Sequence, residues 1–465
     1  MNKATLIQLF SQRPHWGALL LGGIYTLGFA PLFWWPVALI AIGGLFWLIQ
    51  DVTPKQAFQR GWLFGLAHHL SALYWVVNAF YAESESWAFA LGVGGLSLTA
   101  LSAFLALYIG AAAALFAFVK KKTPVAPLIF AALWLLLELL RSTFPFGGFP
   151  WNLSGYIFAN DIYIMQLAAP LKIWGLSFAA IAVGAFLFYN RRGWGVSVLL
   201  LLSLYLHGYI QLQNLPERHN NSPAIAMVQP NIPQPHKWDV EKRHNNLAKT
   251  FGLSNSPQAD ILIWPETALP FILGHASWIN DVVANHLAPH QTLITGIPKL
   301  GKDGGFYNSI AAFSGTGKIT HIYDKNILVP FGEYMPFRAF VPQFFGPLVH
   351  GTQDYTAGHT ADPITWEGLR FLPLICYEAI FPTHVARHAP KSNVLLNLTN
   401  DAWFGNSSAP HQHFAMARLR AVENRQPLIR VANTGITAVI TPSGKVNYRL
   451  PQYTEGTEFF TLPLF

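Results

Sequence analysis

The chain is 465 residues long, carries charge on 11% of them and has a mean hydropathy of +0.31. Soluble globular proteins are roughly 25% charged, so a wholly water-soluble chain is excluded and a bilayer is implicated. Of the formal charge of +8, residues 1–212 hold +6 (11 Lys/Arg against 5 Asp/Glu) and residues 213–465 hold the rest (19 against 17), a distribution that membrane topology explains without a nucleic-acid partner.

Residues 15–50 are almost uninterrupted apolar sequence, broken at 30–36 by Pro31, Pro36 and the pair Trp34-Trp35, which predicts two spans joined by a tight hairpin. Further spans are expected near 61–81, 87–118, 124–140, 167–189 and 193–212, making seven. The fourth is long, but 91–114 contains no charge or proline to form a connecting turn. Loop charges alternate with this count. Lys3, Arg13, Lys55, Arg60, Lys120, Lys121, Lys122, Arg191 and Arg192 fall on one side, against only Arg141 and Lys172 on the other. The positive side is cytoplasmic, so seven crossings deliver the second half to the outer face. No polar mature segment or cleavage site follows the first span, so it is not read as a signal peptide. Glu138 and Arg141, three apart at a helix end, read as a local ion pair or as a functional intramembrane acid. His68, His69 and His207 lack ligand-spaced partners and read as hydrogen-bonded helix residues. The loop 147–151, with its small and aromatic residues, suits the headgroup layer, as a lipid entrance or as a loop anchor.

From about 222 the pattern changes to short β-rich runs alternating with polar helical ones, which predicts an α/β domain over 222–465 beside a helical transmembrane domain over 1–212. Strands are expected at 224–228, 260–264, 291–297, 309–313, 319–323, 371–375, 394–397 and 436–441. Helices are expected at 240–251, 278–286 and 411–425.

Three ionisable residues border apolar runs in this domain. Glu266 closes Ile261-Leu262-Ile263-Trp264-Pro265, Lys325 precedes Ile327-Leu328-Val329, and the single cysteine, Cys376, ends Leu374-Ile375. Singly, each has an ordinary reading, as a cap, a solvated lysine and a packed thiol. A helix beginning near Glu378 would favour the thiolate. Together an acid, an ammonium and a thiol supply the parts of nucleophilic acyl transfer. One cysteine forms no internal disulfide, His411 and His413 are poorly spaced for a shared ligand face, and no glycine-rich phosphate loop is present. No metal and no cofactor are expected.

In these contexts the chain resembles the nitrilase (carbon-nitrogen hydrolase) superfamily, and with its multi-span first half it resembles the bacterial apolipoprotein N-acyltransferase family. The likeness extends to Gln229-Pro230-Asn231 running to Lys237-Trp238, to Asn400-Asp401-Ala402-Trp403-Phe404-Gly405 and to Asn433-Thr434-Gly435. The resemblance implies an αββα sandwich on the periplasmic face of the inner membrane. It implies Glu266 as general base, Lys325 as oxyanion stabiliser and Cys376 as nucleophile, with Glu333, Tyr377, Glu378 and Trp238 supporting the site or its substrates. The implied reaction takes an acyl chain from a phospholipid, typically phosphatidylethanolamine, onto the cysteine as a thioester. The chain then passes to the N-terminal amine of a diacylglyceryl-cysteine apolipoprotein. The family pattern usually closes with a further span, whereas this sequence stops at 459–465, either because the tail is short or because the sequence is cut, so an eight-span topology is not claimed.

The segment 337–349, rich in phenylalanine, is read as a mobile arm touching lipid or as domain core. A membrane-tethered amidase or nitrilase using water as second nucleophile would share the same three residues. A transporter or receptor is disfavoured by the lack of repeats.

Overall fold

The computed structural model describes residues 12–119, 123–214, 223–275, 278–338 and 354–462. They form two compact units, one comprising the residues up to Asn78, Ser86–Asn214 and Ser407–Leu419, the other Ala79–Glu85, Leu215–Asn406 and Arg420–Phe465.

The first unit is helical: α1 (Pro14–Thr26), α2 (Trp35–Ile49), α3 (Pro54–Ala72), the first three residues of α4 (Val76–Ser84), α5 (Gly95–Val119), α6 (Ala126–Arg141), α7 (Ala168–Tyr189) and α8 (Arg191–Gln213). Three stretches, Trp87–Val119, Ile164–Tyr189 and Arg191–Gln213, are long and apolar enough to cross a membrane, and Trp35–Ile49 is a shorter apolar helix. Among the described residues, three of the seven expected crossings, those near 87–118, 167–189 and 193–212, meet this criterion. The 13 residues of α1 and 16 of α6 fall short of a crossing of about 20. Trp87–Val119 is unsplit, with a π-helical turn at Ala90–Gly94. Gly61 lets α3 lie directly on α5, since a Cβ there would stand 2.9 Å from the Ile109 carbonyl oxygen.

The span expected over 61–81 is displaced and broken. Thr53 and Gln56 form a reciprocal capping box that starts α3 at Pro54, before the apolar run. At the other end Gln412 Nε2 donates to the Ala72 carbonyl at 3.2 Å, and its Oε1 accepts from the indoles of Trp75 (3.2 Å) and Trp151 (2.8 Å). A side chain some 340 positions away thus satisfies the backbone group that the break exposes. Trp151 is 2% exposed, with its ring centroid 4.9 Å from that of Trp75 and tilted to it, so it anchors its loop inside the unit.

Glu138 and Arg141 are both buried, yet no ion pair joins them. Glu138 Oε1 accepts from Ser154 N (2.8 Å), Ser154 Oγ (2.6 Å) and Trp134 Nε1 (3.2 Å), while Arg141 donates to the carbonyls of Trp151 (3.0 Å) and Asn152. Buried polar groups go to whatever donors or acceptors complete them, and here both side chains hold the stretch 151–154, which runs into a 3₁₀ turn at Ser154–Phe158. His68 bonds Thr26 Oγ1 at 2.9 Å as expected, whereas both nitrogens of His69 lack a protein partner.

The second unit contains two six-stranded sheets, ordered β12-β1-β2-β3-β4-β5 and β11-β10-β9-β8-β7-β6. The first sheet has β1 (Ala224–Gln229), β2 (Ile261–Ile263), β3 (Thr292–Leu300), β4 (Phe306–Ser314), β5 (Ile319–Asp324) and β12 (Gly456–Thr461). The second has β6 (Ile364–Trp366), β7 (Leu369–Ile375), β8 (Val394–Thr399), β9 (Leu428–Ala432), β10 (Thr437–Ile440) and β11 (Val446–Leu450). In each, three central strands run parallel: β1-β2-β3 and β7-β8-β9. Their near-continuous Ile, Leu and Val content is what two-faced burial requires. One core cluster joins Ile225, Ile263 and Ile310 of the first sheet to Phe371, Leu396 and Val431 of the second, so the sheets pack face to face. A second cluster, including Leu247 and Val283, covers the first sheet's other side with α10 (Arg243–Leu253) and α11 (Ile279–His286). A short helix, α9 (Gln234–Lys237), follows β1. Of the expected strands each has a counterpart, while β6, β9, β11 and β12 are additional.

Candidate active site

Ligand sites in parallel sheets gather beyond the carboxyl ends of the strands. Glu266 stands beyond β2, Lys325 beyond β5 and Cys376 beyond β7. The loop carrying Glu266 lies flat on β3 because residue 296 is glycine: a Cβ there would be 2.2 Å from Thr267 N and 2.6 Å from Glu266 Cα. Cys376 opens a 3₁₀ turn, Cys376–Ile380, with φ +48°, a left-handed conformation that costs an L-residue energy and aims its side chain away from the strand line. The expected helix starting at Glu378 is not there. Pro382 at its first turn starts α12 (Pro382–His388) six residues past the thiol, so this helix does not begin at Cys376.

The three residues converge. Lys325 Nζ donates to Glu333 Oε1 at 2.8 Å and lies 3.9 Å from Glu266 Oε1. Asn308 Nδ2 bridges the two acids, donating to Glu266 Oε1 (2.8 Å) and Glu333 Oε1 (3.0 Å), and Val329 N donates to Glu333 Oε2 (2.9 Å). All are nearly water-free, Lys325 at 1% exposure and Glu266 at 7%. Burial alone pulls the Lys325 ammonium down, but Glu333 and Glu266 lift it above its ordinary value. Burial, aided by Glu333, raises the Glu266 carboxyl against the pull of Lys325. Burial likewise pushes the Cys376 thiol up, helped by Glu266 and opposed by Lys325. Burial thus favours the protonated thiol, where a helix terminus would favour the thiolate.

Glu378 ties two strand ends together. Its Oε2 accepts from Ile375 N (2.6 Å), the residue before the thiol, and its Oε1 accepts from Asn326 N (2.6 Å), the residue after Lys325, and from Tyr323 Oη (2.8 Å). Burial pushes its carboxyl up to about 7 against these donors. Tyr377 is buried with its ring edge-on to Phe381, 4.9 Å away. Trp238 is half-buried at the end of α9, where its neighbour Lys237, and not Trp238, reaches Glu266.

The segment 21–186 matches the family model described as the apolipoprotein N-acyltransferase N-terminal domain, and 224–464 matches the carbon-nitrogen hydrolase model. The apolipoprotein N-acyltransferase of Brucella melitensis is 35% identical over 98% of this chain and 91% of its own length. That of Rickettsia bellii is 36% identical over 94% and 89%. The chain belongs to the apolipoprotein N-acyltransferase family. It is accordingly an acyltransferase built on a carbon-nitrogen hydrolase unit. A solved carbon-nitrogen hydrolase from Helicobacter pylori aligns at 15% identity over 51% of this chain and 87% of its own, with a TM-score of 0.38.

Within this family member the structure adds residues that sequence reading passed over. Asn308 is one. Another is Arg430, fully buried in β9, which donates to Asp401 Oδ2 at 2.8 Å and to Asn397 Oδ1. Asp401 in turn accepts from Thr399 Oγ1 at 3.1 Å and has a carboxylate oxygen within 4.8 Å of Cys376 Sγ. Arg430 was hidden in the apolar run Leu428-Ile429-Arg430-Val431-Ala432; an arginine inside a buried-strand pattern is the signal that finds it. The arm expected at 337–349 lies outside the described residues from 339 on; Phe337 itself is 68% exposed.

Proposed function

We propose that the enzyme N-acylates diacylglyceryl-cysteine apolipoproteins by a ping-pong route through a Cys376 thioester. The observation that carries this reading is the buried ammonium of Lys325, hydrogen-bonded to Glu333 and beside Glu266, at strand ends that also present the strained thiol. Cys376 Sγ attacks the ester carbonyl of a phospholipid, phosphatidylethanolamine by the family likeness, while Glu266 takes the thiol proton. The C–S bond forms, the carbonyl oxygen gains charge beside Lys325, and the C–O bond breaks with Glu266 returning the proton to the departing lysophospholipid. The acceptor's free α-amine then attacks the thioester: the C–N bond of the amide forms, the C–S bond breaks, and the amine's proton passes by way of Glu266 to the departing sulfur, regenerating the Cys376 thiol. Glu333 holds Lys325 in place, Glu378 and Tyr377 brace the thiol's turn, and Trp238 borders the site.

Residues 1–212 are read as a bundle with seven crossings and 222–465 as an αββα catalytic domain on the periplasmic face of a bacterial inner membrane. Nine cationic side chains on one set of loops against two on the other support that orientation. The test supplies phosphatidylethanolamine with a diacylated lipopeptide or with buffer alone. The reading expects lysophospholipid and triacylated peptide in the first case and no steady release of fatty acid in the second. Continuous fatty-acid release without peptide would make the protein a hydrolase.

A further inference from the structure

Lys237 is 4% exposed, yet no carboxylate lies within ion-pair distance of it among the described residues. Its Nζ donates to the backbone carbonyl of Glu266 at 2.9 Å. An ammonium has three donors, and an uncompensated buried charge is costly, so a lysine here stands against the ordinary economy of a core. The segment that carries it is fastened at both faces. Asn433 Nδ2 donates to the Ile232 carbonyl (2.7 Å) and to Asn400 Oδ1 (3.0 Å), and Asn400 Nδ2 donates to Gln234 Oε1 (2.7 Å), three residues before Lys237. The ammonium borders a cavity shared with Asn246, Thr267 and Asn433, at the root of the Glu266 loop.

Two carboxylates at the site, Glu266 and Glu333, share one hydrogen-bonded ammonium, Lys325, and removing the thiol proton adds a further negative charge. We propose that Lys237 is a positioning residue for acyl transfer: a second buried ammonium that fixes the Glu266 main chain and offsets the negative charge that Lys325 alone leaves unbalanced. The proposal rests on Cys376 being the nucleophile. The ionisable groups acting on Lys237 are Glu266 from the loop after β2 and Cys376 from the turn after β7, with His236 its neighbour on α9. Burial lowers Lys237 to about 8, with Glu266 and Cys376 opposing. The ammonium is therefore present at neutral pH and lost above that value.

The experiment follows acylation of the full-length protein in phosphatidylethanolamine mixed micelles by time-resolved intact mass, from pH 6 to 9.5. Three variants are compared with the parent. Lys237→Met removes charge and hydrogen bond, Lys237→Gln keeps a donor for the Glu266 carbonyl without charge, and Lys237→Arg keeps the charge. Expected are acylation about 30-fold slower at pH 7 for the Met and Gln variants, with half-saturating donor within about twofold of parent, and a rate within about threefold of parent for Arg. The parent's rate should fall as pH rises through about 8, and this limb should be absent in the two uncharged variants. The proposal is overturned if Lys237→Met acylates at the parent's rate, or if Lys237→Gln restores it, which would assign the lysine to its hydrogen bond alone. It is equally overturned if neither uncharged variant folds, which would make the lysine a folding residue. A parent that fails to acylate at all would instead remove the nucleophile assignment beneath it.

Discussion

Glu333, and not Glu266, is the hydrogen-bonded partner of Lys325, at 2.8 Å against 3.9 Å. This division leaves Glu266 close enough to feel the ammonium but free of a direct bond to it, which suits the proton acceptor proposed for it. An acid locked to a lysine would be too weak a base.

Glu333→Gln should free Lys325 to pair with Glu266. The Glu266 carboxyl, raised in the parent first by burial and also by Glu333, would then move down. The acid limb of acyl-enzyme formation should shift to lower pH while the maximal rate falls about 100-fold. A pH profile of single-turnover acylation checks this; an unshifted limb with an unchanged rate would count against the division.

Glu378 gives a prediction about stability. Burial raises its carboxyl from an ordinary 4.5 to about 7. Between those values the folded protein keeps a proton that the unfolded chain has released, so the native state binds more protons and its stability falls as pH rises through that window. The contribution is about 3 kcal/mol, present in full below 4.5 and lost above 7. Glu378→Gln should flatten the decline, measured as unfolding midpoints of the full chain at pH 5 and pH 7.5. An unaltered slope would mean that Glu378 is charged throughout.

Gly435 abuts Asp401. A Cβ at 435 would stand 2.2 Å from Asp401 Oδ2, the atom that Arg430 holds at 2.8 Å. Gly435→Ala should therefore separate this buried pair, destabilise the protein by about 2–3 kcal/mol and slow acylation about tenfold by disturbing the Cys376 surroundings. Urea unfolding and single-turnover acylation test the two parts separately, and full retention of both would contradict the packing.

The contrast between what was legible and what was not has a consistent physical basis. Glu266, Lys325 and Cys376 could be read because each borders an apolar run in a strand pattern, and strand ends are where a sheet presents chemistry. The parallel strands were legible from their continuous Ile, Leu and Val content. Arg430 was masked by that same content, and β11, with Asn447, Tyr448 and Arg449, by the lack of it. The break after Ala72 depends on Gln412, a contact no local window contains. The spacing of Glu138 and Arg141 fitted an ion pair, but the donors of Ser154 and the carbonyls of Trp151 and Asn152 outcompete it. The helix expected beside the thiol is displaced because a proline six positions on, at 382, sets where it begins.

The central claim is that Cys376 carries the acyl group, and intact-mass analysis of the full-length protein after incubation with phosphatidylethanolamine tests it most directly. The account predicts a gain of one acyl chain, mapped to Cys376, released by hydroxylamine or by a diacylated lipopeptide and absent in Cys376→Ala. A chain that appears on Cys376→Ala, or on any other residue of the unmutated protein, would contradict it.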